Sequence, residues 1–193
     1  KKLKKEIISY GLTLFEIDNK YNITSSEVLF NLAESIISSE KLTKIRDTSD
    51  NYIQVSSFKY SNITEILDGT DVELIDNKKN KYHVELGKFD LKNQKLLGKD
   101  VKIILRNDSF GNPDNEPKLK GNSIDYKNKK TLIKKGIFTS CRENNNCPPW
   151  SIKSKEIIHY KDKQEIHYKN AWLRLYNTPV LYFPKFFHPD PTV

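Results

Sequence analysis

No methionine occurs anywhere in the chain, and there are only two cysteines, seven glycines and four arginines among its 193 residues. Each scarcity excludes something. Without a methionine the sequence reads as a segment excised from a longer, processed protein. With four arginines among 33 basic residues, it lacks the bidentate donors that specific nucleic-acid readers use. The few glycines form no phosphate-cradling loop and no Gly-X-Ser-X-Gly elbow, and the 25 carboxylates form no acid/base constellation. No catalytic residue is assigned, and the chain does not read as an enzyme. Two thiols without a histidine pair at ligand spacing make no metal site, and no cofactor is implied. Five residues separate the thiols, so they are not a Cys-X-X-Cys redox motif. No apolar run approaches the roughly 18 residues of a spanning helix, and no secretory signal is visible. Hydrophobic residues make up only 36%, lean for a thick core, while 11% aromatics is too many for a disordered chain. One sheet layer folded over on itself fits that supply.

What is present is period-two alternation. It groups Val28, Phe30 and Leu32; Ile53 and Val55; Val72 and Leu74; Tyr82, Val84 and Leu86; Val101, Ile103 and Leu105; and Ala171, Leu173 and Leu175. Alternation means strands with one buried and one wet face. Asp, Asn and Lys clusters punctuate these runs, at Asp18 to Lys20, Asp47 to Asn51, Asp76 to Asn80, Lys92 to Gln94 and Lys127 to Lys129, as turns require. A long Gly/Pro/Asn loop spans Asn107 to Asn122. The stretch Ser123 to Phe138 resembles Ile157 to Trp172, with a weaker copy at Phe89 to Val101. Each copy is a strand, a turn and a strand, a unit that must stack on neighbours to bury a face. The net charge of +8 is spread over lysines in every segment and reads as a solvated surface. Both cysteines, Cys141 and Cys147, sit in "GIFTSCRENNNCPPW". They permit a local disulfide, contributing about 2 kcal/mol by loop-closure entropy, or a bridge to another part of the protein.

The tail carries a family resemblance. "GIFTSC…CPPWSIKSKEI" followed by "NAWLRLYNTPVLYFPKFFHPDP" resembles the end of the periplasmic domain of the organic solvent tolerance family, the lipopolysaccharide-assembly proteins of the outer membrane. The carrying residues are Thr139 to Cys141, Pro148 to Trp150, Pro179 to Pro184, and Pro189-Asp190. The upstream "LDGTDVEL" is similar to the wider OstA-like carriers. The resemblance implies an all-β, open twisted roll (a β-taco, jellyroll-like), with residues 1–193 as one periplasmic OstA-like domain. Residues 177–193 would be a connector toward a transmembrane barrel. It implies lipopolysaccharide transport at the cell outer membrane, on the periplasmic side.

On that reading, acyl chains of lipid A would lie against Val28, Phe30, Ile53, Val55, Val72, Leu74, Val84, Leu86, Val101, Ile103, Ile124, Ala171, Leu173, Leu175, Leu181 and Phe183. The connector residues would be Trp172, Tyr182, Pro184, Phe186 and Phe187. Ile7, Ile8, Leu12 and Leu14 would form an edge to which a periplasmic bridge protein (LptA-like) adds strand to strand. A lipoprotein plug (LptE-like) would be met through the barrel. The family's periplasmic cysteines pair with barrel cysteines, so Cys141 and Cys147 would pair with each other or with cysteines there. Nucleic acid is not among the implied partners. Two alternatives stay open: a soluble bridge protein of the same fold, and a basic all-β nucleic-acid or glycan-binding module.

Overall fold

Inward side chains recur along each strand at intervals of two, three and two residues. Ile23, Ser25, Val28 and Phe30 follow this spacing, as do Ile53, Val55, Phe58 and Tyr60. So do Leu67, Gly69, Val72 and Leu74; Tyr82, Val84, Gly87 and Phe89; and Ile166, Tyr168, Ala171 and Leu173. All of these are buried or half-buried. A computed structural model, which describes residues 5–105, 116–141 and 149–189, shows the reason. Each strand turns a corner at its middle, and one residue is spent on the corner.

The architecture is all-β. The strands are β1 (Glu6–Ile17), β2 (Tyr21–Asn31), β3 (Ile36–Ser39), β4 (Thr43–Asp47), β5 (Tyr52–Val55), β6 (Ser57–Ser61), β7 (Ile66–Ile75) and β8 (Lys81–Asp90). They continue as β9 (Lys95–Ile104), β10 (Lys118–Lys127), β11 (Lys130–Thr139), β12 (Trp150–Tyr160), β13 (Glu165–Leu175) and β14 (Thr178–Pro189). These 14 strands of the described residues belong to one sheet of antiparallel neighbours. From β7 to β14 each strand pairs with the next in sequence. Nearer the start, β3 and β4 are two halves of one rung on β2. Likewise β5 and β6 are two halves of one rung on β7. The result is a β-taco, a single-layer meander folded along its midline, with β1 and β14 at its ends.

The midline is visible in the pairing. Register skips Asp71 and Glu85 between β7 and β8, Glu85 and Asp100 between β8 and β9, and Lys155 and Asn170 between β12 and β13. The rung β2, and every second rung from β7 on, hold the corner with a left-handed residue: Glu27 (φ 51), Asp71 (φ 50), Asp100 (φ 49), Lys135 (φ 50) and Asn170 (φ 52). Such a conformation costs a side-chain-bearing residue free energy. Burial of both inward faces against one another offsets that cost, because a flat sheet would leave one apolar face in water. Backbone groups freed at the corner find partners. Ser154 Oγ lies 2.7 Å from the carbonyls of both Glu156 and Lys169. The Ser25 and Thr43 hydroxyls meet at 2.7 Å inside the break between β3 and β4.

Small residues flank the midline because the two arms meet there. A Cβ built on Gly121 would stand 2.2 Å from Ile133 Cγ2, and one on Gly98 would stand 2.5 Å from Val84 Cγ1. At the rim of one arm the turns are stitched rung to rung: the amides of Leu32, Asn62, Leu91 and Lys161 donate to the carbonyls of Lys5, Ser35, Glu65 and Lys129 at 2.9–3.0 Å. Two-residue hairpins at Asn128-Lys129 and Tyr176-Asn177 have both φ values positive. That is the turn whose twist matches the flanking strands.

Several expectations are corrected. Leu32 lies in the turn beyond β2 and is exposed, and Leu86 is 48% exposed on the outer face. Strict alternation carried each across a strand end or a corner. The internal resemblance corresponds to hairpins β10–β11 and β12–β13. A four-residue turn replaces a two-residue one in the second, so Ile157, not Ile158, takes the inward place of Ile124. Residues 178–189 form the complete final rung, β14. Pro179 and Pro184 fit because β14 is an edge strand, where missing amide donors leave no partner unsatisfied.

The Gly121→Ala substitution should therefore destabilise the fold by about 1–3 kcal/mol through overpacking. Gly11→Ala, whose new methyl meets nothing within 4 Å, should change stability by less than about 0.5 kcal/mol. Urea unfolding of both variants checks this; equal effects would contradict the midline account.

Candidate functional site

Between the two arms the core opens into a cleft of about 200 Å³. Its floor is Val72, Val84 and Ile124, and its walls include Leu74, Phe89 and Leu96. Two tyrosines stand at its mouth on opposite arms, Tyr82 and Tyr126. The Lys161 ammonium lies 5.3 Å from the Tyr126 ring and 6.0 Å from the Tyr82 ring, within cation–π range of both. Tyr82 donates its hydroxyl to Asp76 Oδ2 at 3.1 Å. The cleft is thus apolar inside and polar at its lip. A hollow of about 420 Å³ lies on the outside over Gly69, Gly87 and Gly98, beside Leu86.

The inward set forms one continuous core. Ile53, Val55, Val72, Val84, Val101, Ile103, Ile124, Ala171 and Leu173 belong to it or pack on it. Val28 is buried and Phe30 half-buried in the adjoining rung, while Leu74 lines the cleft. Toward the C-terminal end the inward face loses its cover. Phe183, opposite Ala171, is half-buried, whereas Leu181, opposite Leu173, is 51% exposed, and Leu175 is exposed as well.

The aromatic residues of the last rungs divide between two faces. Phe186 points inward, 5.7 Å from the Tyr168 ring and 5.3 Å from Phe183. Trp172 and Tyr182 point outward as a pair 5.0 Å apart. Phe187 stacks outside on His167 at 5.3 Å, and Pro184 sits at the corner opposite Asn170. At the other end, Ile7, Ile8, Leu12 and Leu14 are exposed on the edge strand β1, with Leu14 74% exposed. Cys141 closes β11 with its amide on Thr139 Oγ1 at 3.2 Å. That hydroxyl in turn donates to the Trp150 carbonyl at 2.8 Å, joining the two ends of the cysteine loop. Cys147, Pro148 and Asp190 lie outside the described residues.

Phe89, Leu96, Tyr126 and Lys161 were not among the sequence-based candidates. The two-three-two spacing would have found the first three. Lys161 carries no such signal, because it sits in a turn and reaches the mouth only by folding.

The Tyr168 hydroxyl is deeply buried, 2.8 Å from His188 Nε2. Burial holds its pKa well above the ordinary tyrosine value. Burial also raises Tyr21 and Tyr60, aided at Tyr21 by Asp47 and at Tyr60 by Asp18. Outside, Glu156 is held below the usual carboxylate range by its bond to Lys169, 2.9 Å away. Among the described residues, no cluster of three or more His, Cys, Asp or Glu side chains is arranged to hold a metal ion. No helix there is long and apolar enough to cross a membrane.

A folded single-layer sheet with an apolar interior and two open ends is the class this geometry defines. No family model matches the chain. Over 54 residues, 28% of its length, it is 37% identical to the LPS-assembly protein LptD of Yersinia pestis bv. Antiqua, and equally so to that of Yersinia pseudotuberculosis serotype I. Over 57 residues, 30% of its length, it is 35% identical to the LPS-assembly protein LptD of Yersinia enterocolitica. The shared stretch spans 7% of each of these relatives.

An unfolded tyrosine loses its proton near pH 10, while folded Tyr168 keeps it. Its contribution to stability is therefore complete below pH ~10 and is lost as pH rises from there toward the raised folded value. Tyr168→Phe should make the alkaline decline shallower in thermal melts above pH ~10. An unchanged slope would count against burial of this hydroxyl.

Proposed function

We propose that this chain is a lipid-carrying module of lipopolysaccharide transport, holding acyl chains between the two arms and releasing them at the β14 end. The observation that carries the reading is the continuous apolar interior, which opens into a cleft and becomes uncovered at Leu175 and Leu181. Similarity to LPS-assembly proteins supports the direction of the assignment. The physics is simple. Each methylene held out of water is worth about 0.8 kcal/mol, so an acyl chain gains strongly from a shielded path. The arms shield it without any thick core. The work is transfer rather than catalysis, and no cofactor enters it.

Under the same proposal the chain is one domain on the periplasmic side of the outer membrane, and β14 leads toward a barrel. The exposed edge of β1 accepts a strand from a bridge protein. A lipoprotein plug is met only through the barrel. Cys141 pairs with Cys147 or with a barrel cysteine.

Photo-crosslinking tests the interior. A photoreactive residue at Phe89 or Leu173 in the purified chain should give adducts with lipopolysaccharide. The same residue at outward Glu73 or Lys153 should give none. Equal labelling from both faces, or adducts only from the outside, would refute the carrier reading.

A further inference from the structure

The outward positions flanking the midline change sign along the stack. From β2 to β9 the exposed charges at or beside the corner are mostly acidic: Glu27, Glu40, Asp71, Glu73, Glu85 and Asp100, against Lys99 and Lys41, the latter paired to Glu27 at 3.2 Å. From β11 to β14 they are Lys134, Lys135, Lys153, Lys155, Lys169 and Lys185, all exposed. The carboxylate within that second set is Glu156, bonded to Lys169. Register makes this a compact array. Lys153 stands directly opposite Trp172, Trp172 opposite Tyr182, and Lys169 opposite Lys185. Trp172 is 44% exposed and Tyr182 42% exposed, so a large aromatic pair lies in water amid the lysines.

We propose that the outward face of β11–β14 docks on an anionic lipid bilayer surface. Successive strands place the lysines about 4.8 Å apart in a row along the outer ridge of the fold, and an extended row suits a plane of headgroup phosphates better than a point anion. Trp and Tyr rings beside lysine stems favour the headgroup layer, where their apolar bodies leave water and their polar tips stay wet. A nucleic-acid surface fits less well. The two rings cover each other at 46° rather than offering parallel platforms for bases. The acidic half of the midline would be repelled by the same membrane, so the charge gradient also orients the stack with β14 near the lipid and β1 away from it. This inference uses only the outer surface and does not depend on what the cleft holds.

Vesicle co-sedimentation of the 193-residue chain tests it. Binding to vesicles of phosphatidylglycerol with phosphatidylcholine should be strong, weakened by salt, and absent with phosphatidylcholine alone. The triple variant Lys153→Glu, Lys155→Glu, Lys185→Glu should lose well over about tenfold in binding, since each lysine near an anionic surface counts for roughly fivefold. The control triple Lys44→Glu, Lys59→Glu, Lys88→Glu makes the same net-charge change on the other half and should bind within about twofold of the parent. Circular dichroism and thermal melts confirm that both variants fold. Trp172 emission in a Trp150→Phe background should shift to the blue on vesicle addition. Equal losses in the two triples, equal binding to both vesicle types, an unmoved Trp172 emission, or displacement from vesicles by a short oligonucleotide would each overturn the proposal.

Discussion

Everything in this molecule follows from where the alternation of its strands breaks. A strand with unbroken period two has one apolar face along its whole length, and a meander of such strands is a flat sheet with that face in water. Here the inward positions slip by one residue at the middle of each rung. The slip turns one apolar face into two facing halves, and the chain holds corners in a left-handed conformation at Glu27, Asp71, Asp100, Lys135 and Asn170. Local strain is exchanged for burial. Tyr60, Val55, Ile157, Ile166 and Tyr168 are almost fully covered although the chain supplies only 36% hydrophobic residues.

The same corner makes core and candidate site one thing. In a packed sandwich the inner side chains meet across the layer and leave no room. Here glycine at 69, 87, 98, 121 and 136 lets the arms meet at the midline, while Tyr82, Tyr126 and Lys161 hold them at the mouth. The space left between these two lines of contact is the cleft. Lys161 joins the arms through its cation–π contacts with both rings. The ends differ as well. The β1 end presents an exposed edge with Leu12 and Leu14, and the β14 end presents inward residues stripped of cover.

Much of the fold was legible in the sequence. Strand content, turn positions and the thin-layer architecture follow from alternation and Asn/Asp/Lys punctuation, and most inward residues were correctly placed. The errors share one cause. Leu86 was assigned inward because Val84 is, yet Glu85 is a corner, and Gly87 and Phe89 take the inward places beyond it. The same blindness hid Phe89 and Leu96, which lie across the corners at Glu85 and Asp100 from the residues assigned inward. The aromatic, proline-rich tail pairs with β13 through Pro189, because edge position removes the usual penalty for proline. Lys161 was out of reach altogether. Nothing local marks a turn lysine as the residue that spans a mouth, for that depends on how far the arms close.

The central claim is that the arms part to admit hydrocarbon. The direct measurement is the distance between spin labels on the two rims, at Asn77 and Lys163, by pulsed electron paramagnetic resonance, with and without lipopolysaccharide. The account predicts a longer and broader distance distribution when lipid is bound. A distribution that stays fixed while lipopolysaccharide binds would place the lipid elsewhere and leave the interior as a core alone.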